Sequence, residues 1–126
     1  SPPINLVEVD VADNELRIKD TVPALTPTSE DTTRLKNAGK DKVLLGVRPE
    51  DIKVTKEGNE KNAISCSIYF KQSMGAEDIL NLRIGDLMIQ ATVPPSLSTS
   101  VGEEAYAVFD MDHAHFFDLE TKSRIE

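Results

Sequence analysis

Val43-Leu44-Leu45-Gly46-Val47-Arg48-Pro49-Glu50-Asp51-Ile52 decides how the rest of this chain is read. Its apolar first half, bounded by β-branched valines, reads as a buried strand, and it stops at Pro49, which has no N–H to give to a ladder. A second strand, residues 52–56, follows at once. Arg48 and Glu50 flank the proline, so a forked donor and a carboxylate stand where the chain turns, and they read as an ion pair that ties the corner. An isolated Arg-x-Glu has no reactive partner in the sequence, which makes its role structural.

Upstream, residues 4–11 alternate loosely, Ala12-Asp13-Asn14 is prone to turn, and Leu16 and Ile18 share a face of the next segment, so residues 1–20 form an N-terminal β-hairpin. Pro23 and Pro27 break the pattern, and residues 21–42 form a connecting loop with at most one short helix. Thr28 or Ser29 caps that helix, Asp31 stands in the capping-box position and Gly39 ends it. With Leu35 as its one large apolar residue, the helix is expected to lie outside the main core.

Downstream, Ile64, Cys66, Ile68 and Phe70 alternate with Ser65, Ser67, Tyr69 and Lys71, predicting one buried face over eight residues. Leu80, Leu82 and Ile84 continue the pattern, Gly85-Asp86 turns, and Leu87, Ile89, Ala91 and Val93 complete a three-stranded meander. Pro94-Pro95 ends it, residues 105–109 make another strand, and residues 113–118 with 123–125 make a last hairpin. Eight or nine short strands and at most one helix imply an all-β, OB-like small barrel. The chain thus reads as one domain, residues 1–126, with the barrel proper in 43–126.

Composition narrows the function. The 126 residues carry a formal charge of −8 with 39% hydrophobic and 29% charged positions, which suits a globular domain. That charge argues against nucleic acid or an anionic lipid surface as the main partner, since both reward Lys and Arg. No apolar run approaches the roughly 18 residues of a spanning helix and no charged-then-apolar leader is read, so membrane attachment is expected to run through another domain or subunit. Cys66, the one cysteine, excludes an intrachain disulfide and reads as core, not as a reactive thiol.

Catalytic motifs are missing. Gly39-Lys40 is the one Gly-Lys pair, but Arg34 stands where a phosphate-binding loop needs its first glycine, and Asp41 follows. Gly-x-Ser-x-Gly is absent, and the two histidines lie together at a strand start. The acidic residues are scattered. On a strand His113 and His115 would point the same way, and with Asp110 or Asp118 they compose a weak alternative as a metal site; packing and contact is the preferred role. No catalytic, cofactor-binding or metal residue is therefore assigned.

Gly46-Val47-Arg48-Pro49-Glu50-Asp51-Ile52 after a hydrophobic strand resembles the opening of the TOBE domain in the ATP-hydrolysing subunits of maltose-type carbohydrate ABC importers. Ser1-Pro2-Pro3-Ile4-Asn5-Leu6 is similar to the entry into their regulatory domain, and Val108-Phe109-Asp110 through His115-Phe116-Phe117-Asp118 to its close. The resemblance implies a non-catalytic regulatory and dimerisation domain at the cytoplasmic face of the membrane. Gly46, Arg48, Pro49 and Glu50 would be its structural motif. Implied partners are a second copy, the nucleotide-binding domain of the same polypeptide, where ATP and Mg would bind, and a regulatory protein. Adjacent residues of a strand face opposite ways; the resemblance makes Phe117 the outward ring, grouped with His115 and Tyr106 as a protein interface, and Phe116 the core ring. Two stretches depart from the family, Lys71-Gln72-Ser73-Met74-Gly75 and Asp118-Leu119-Glu120-Thr121-Lys122, the second by lacking a turn glycine. The alternative is a free-standing OB-like module for a small ligand, oxyanion or oligonucleotide, disfavoured by charge and by few aromatics.

Overall fold

Among the described residues, 2–126, the computed structural model has nine strands and one α-helix. The strands are β1 (Asn5–Ala12), β2 (Glu15–Ile18), β3 (Lys42–Val47), β4 (Ile52–Thr55), β5 (Ala63–Ser73), β6 (Asp78–Ile84), β7 (Leu87–Val93), β8 (Glu104–Phe109) and β9 (His115–Asp118); the helix is α1 (Ser29–Ala38). Ser1, the first residue of the opening motif, lies outside the described residues.

The all-β, OB-like expectation holds. One sheet runs β2-β1-β3-β9 and the other β4-β8-β5-β6-β7. β3 is internal to the first sheet, with Leu45 opposite Val7 on β1 and Phe116 on β9. Val43 to Val47 are all buried, which explains an unbroken apolar run where a half-exposed strand would alternate. The β1–β2 turn uses Asp13 and Asn14 at φ 53° and 62°, a left-handed pair that matches the twist of its strands.

The connection 21–42 contributes more than predicted. Leu25 pairs with Leu16 through two backbone bonds of 2.8 and 2.7 Å and is fully buried. Thr28 caps α1 by accepting the Asp31 N–H at 3.1 Å, and Gly39 closes it at φ 64°. Contrary to expectation, Leu35 is 3% exposed and belongs to the hydrophobic core. A helix with one large apolar residue still packs when that residue lands on a sheet; burying a leucine contributes roughly 1.5–3 kcal/mol.

The meander β5-β6-β7 forms as read, with one correction. Ile64, Cys66 and Ile68 are buried, but Phe70 is 55% exposed. The pairing of β5 with β6 slips between Ile68 and Phe70, and such a bulge moves every later side chain to the opposite face. Burial pushes the Cys66 thiol up to about 11, with a smaller contribution from Glu104, so it stays protonated and inert. The five-stranded sheet curls until β4 touches β7 across the barrel. The open edge of β7 is covered by a side chain: the Asn5 amide donates to Gln90 O at 2.9 Å and its oxygen accepts the Gln90 N–H at 2.8 Å. Asn5 thus serves as a one-residue strand partner at an edge that would otherwise offer free ladder groups.

Candidate functional site

The surface around Pro49 is assembled from two tight turns and one strand. Pro49–Asp51 is a 3-10 turn whose Asp51 N–H returns to Arg48 O at 2.9 Å, and Met111–His113 is another, capped by Asp110. The Asp110 N–H donates to Asp51 O at 3.0 Å, which holds the turns side by side. Past them β9 lies antiparallel to β3, with His115 opposite Gly46 and Phe117 opposite Leu44.

The two phenylalanines part company there. Phe116 is 2% exposed and enters the core, while Phe117 is half-buried on the other face with His115. Gly46 provides the space for it: a Cβ at that position would lie 2.7 Å from Cε2 of Phe117 and 3.0 Å from Cδ1 of Ile4. That contact accounts physically for the glycine of the quoted motif. Tyr106, grouped with these residues in the sequence, sits in the other sheet, where it pairs with Thr55 and Ser65 and lays its ring over Gly58.

Of the four residues named as metal alternatives, only Asp110 and His113 meet. His113 is in a 3-10 turn, not on the strand of His115, so the two side chains do not share a face. His113 Nδ1 lies 2.7 Å from Asp110 Oδ2, and that carboxylate, with Asp51 and Asp112, holds the His113 pKa above its ordinary value. Asp118 instead accepts the N–H groups of Glu120 and Thr121, both at 2.9 Å. These bonds hold its carboxyl below the usual range and shape the turn that lacks the family's glycine. The grouping a divalent ion would use is Asp51, Asp110 and His113, whose ligand atoms lie within 4.8 Å of one another. Asp51 escaped the sequence reading because it is brought in by a backbone bond between turns 59 residues apart in sequence, 110 minus 51.

The expected Arg48–Glu50 ion pair is also corrected. Among the described residues Arg48 has no carboxylate within 4.0 Å; its Nη1 is 3.1 Å from His115 Nε2, and Arg124 Nη2 is 2.8 Å from His115 Nδ1. The 3-10 turn aims Arg48 across to β9, away from Glu50. Burial, then Arg124 and Arg48, hold the His115 pKa below its ordinary value.

Two further features were not anticipated. Tyr69 and Phe70, 59% and 55% exposed, are the most exposed aromatic rings; the polar Lys71-Gln72-Ser73 after them signals that the buried face has ended. A cleft of about 540 Å³ between the β1–β2 hairpin and the β6–β7 turn is lined by Val7, Val9, Ile18 and Leu87 with several charged residues, and contains none of the nominated residues.

Comparison with known proteins matches the MalK OB fold domain over residues 1–52 and the TOBE domain over residues 45–117. The chain is 27% identical to the oligosaccharides import ATP-binding protein MsmX of Bacillus subtilis, over 99% of this chain and 35% of that protein. It is 29% identical to the multiple sugar-binding transport ATP-binding protein MsmK of Streptococcus mutans, over 99% and 34%. It is 28% identical to the trehalose/maltose import ATP-binding protein MalK of Thermococcus litoralis, over 99% and 35%. The chain therefore spans about a third of the length of these relatives. Among solved structures, the cytoplasmic molybdate-binding protein ModG superposes with a TM-score of 0.72 at 14% identity, over 92% of this chain and 96% of that one; at that identity the likeness is one of fold.

Proposed function

The chain belongs to the TOBE domain family, and from that premise we propose that it is the non-catalytic regulatory and dimerisation domain of the ATP-binding subunit of an ABC importer for sugars or related solutes. The observation that carries this reading is the alignment of 99% of the chain with about a third of each of three sugar-import ATP-binding proteins. The matched segments are OB and TOBE domains, and the phosphate-cradling loop is missing from the sequence, so ATP hydrolysis falls to a nucleotide-binding domain of the same polypeptide. No described helix is long and apolar enough to cross a membrane; on this reading the domain works at the cytoplasmic face through its partner subunits.

The outer face of β9 supplies the dimer contact. Phe117 is a large ring left half-exposed by a strand whose inner ring is already in the core, and aromatic residues are enriched at interface centres. Sedimentation equilibrium of the 126-residue chain tests it. A concentration-dependent dimer that Phe117→Ala shifts to monomer is expected, together with no heat of binding to Mg-ATP. A chain that stays monomeric at millimolar concentration removes the dimerisation role, and micromolar ATP binding removes the non-catalytic one.

A further inference from the structure

His115 stands between two guanidinium groups that, among the described residues, have no carboxylate within 4.0 Å. Arg48 approaches Nε2 at 3.1 Å and Arg124 approaches Nδ1 at 2.8 Å. A neutral imidazole offers one acceptor nitrogen and one N–H, so one arginine is satisfied and the other meets a second donor; a protonated ring satisfies neither. The hydrogen bonding of this trio is thus incomplete by one acceptor.

Three guanidinium groups gather here in a chain of net charge −8, beside the carboxylates of Glu30, Asp31 and Asp112. Arg48, His115 and Arg124 line a cleft of about 450 Å³ with Thr28, Arg34 and His113, inside the roughly 300–1,000 Å³ of small-molecule sites. Of the carboxylates on the same wall, Glu30 and Asp31 are paired with Arg34, and Asp112 is the sequence neighbour of His113.

We propose that Arg48, His115 and Arg124 form a binding site for the phosphate group of a small anionic ligand. A carboxylate has two oxygens and is satisfied by one guanidinium fork; a phosphate group carries more charge and a third oxygen, which two guanidinium groups and a ring N–H together require. Both arginines are exposed, so each can leave the imidazole and turn to the ligand. Binding exchanges a donor-to-donor contact for charge-assisted bonds. His115 shares the outer face of β9 with Phe117, so the site borders the proposed dimer contact, and it does not depend on the importer reading.

The experiment is a titration of the isotopically labelled 126-residue chain with inorganic phosphate and with glycerol phosphate at constant ionic strength, followed by NMR at the His115 ring and the arginine side chains. Saturable shifts at Arg48, His115 and Arg124 are expected, with affinity reduced at least tenfold by Arg48→Gln and by Arg124→Gln. Arg17→Gln, an exposed arginine elsewhere, leaves affinity unchanged. Tighter binding of glycerol phosphate assigns the cleft to organic phosphates, and equal affinity assigns it to the free anion; both support the site. Shifts that do not saturate, that chloride reproduces at matched ionic strength, or that persist with equal affinity in both glutamine variants overturn it.

Discussion

The turn that ends at His113 and the strand that begins at His115 are separated by one residue, Ala114, yet they present opposite chemistry. His113 faces Asp110, Asp51 and Asp112, which raise its pKa above the ordinary value; burial, then Arg124 and Arg48, lower that of His115. Chain composition does not decide this. The 3-10 turn rotates His113 toward the acidic loop after β3, and the register of β9 on β3 presents His115 to the arginines. In an acidic protein, two arginines come to one imidazole because elements distant in sequence meet there.

The aromatic pair is divided by the two faces of β9, and a failure of that division would be the largest effect. Phe116→Ala is expected to cost about 3–5 kcal/mol as a core truncation, whereas Phe117→Ala, removing a half-buried ring from the outer face, costs about 1–2 kcal/mol and leaves the fold intact. Thermal unfolding of both variants decides the matter; a larger loss for Phe117→Ala would mean that the faces of β9 are reversed.

Gly46→Ala sharpens the picture of the strand side. Its methyl group would press on the Phe117 ring and on Ile4, and overpacking of this kind costs about 1–3 kcal/mol. In a Phe117→Ala background the cost should shrink, because one of the two clashing groups is gone. Equal costs in both backgrounds, by denaturant titration, would show that Gly46 is required for something other than the ring above it.

The smallest effect bears directly on the two histidines. His113 should titrate above 6.5 and His115 below it, with Asp110→Asn lowering the first midpoint and Arg124→Gln raising the second. The signs follow from linkage. The His113 contribution to stability is present below its unfolded pKa and is lost as pH rises through the raised folded value. The His115 contribution is present above its unfolded pKa and is lost as pH falls through the lowered folded value. Acidification therefore moves the two in opposite directions. NMR titration of the rings resolves them where unfolding curves would report only their sum, and a shared midpoint would remove the contrast.

Much of the architecture was legible. The Asp13-Asn14 turn, the Thr28 cap, the buried run of β3 and the meander are local patterns, written in residues next to one another. What escaped was set at a distance. The bulge that turns Phe70 outward depends on how β5 pairs with β6, and no residue in 64–70 announces it. Leu35 joins the core cluster that includes Leu16 and Leu25, which the weak amphipathicity of α1 does not reveal. The candidate site suffered most: His113, His115, Asp110 and Asp118 form one cluster in sequence but three separate environments in space.

By itself, then, the sequence determined most of the strands, the all-β class, the missing phosphate loop and, through residues 46–52 together with the opening and closing stretches, the family resemblance. These rest on side-chain periodicity, backbone restrictions at Gly and Pro, and residue chemistry, all of which act over a few positions. The tertiary structure alone decided which of the polar groups meet. Arg48 turned from Glu50 to His115, Asp51 came to Asp110, and Arg124 closed on the far side of the imidazole, because pairing between β3 and β9 and the backbone bond between the two 3-10 turns place side chains that no local rule relates.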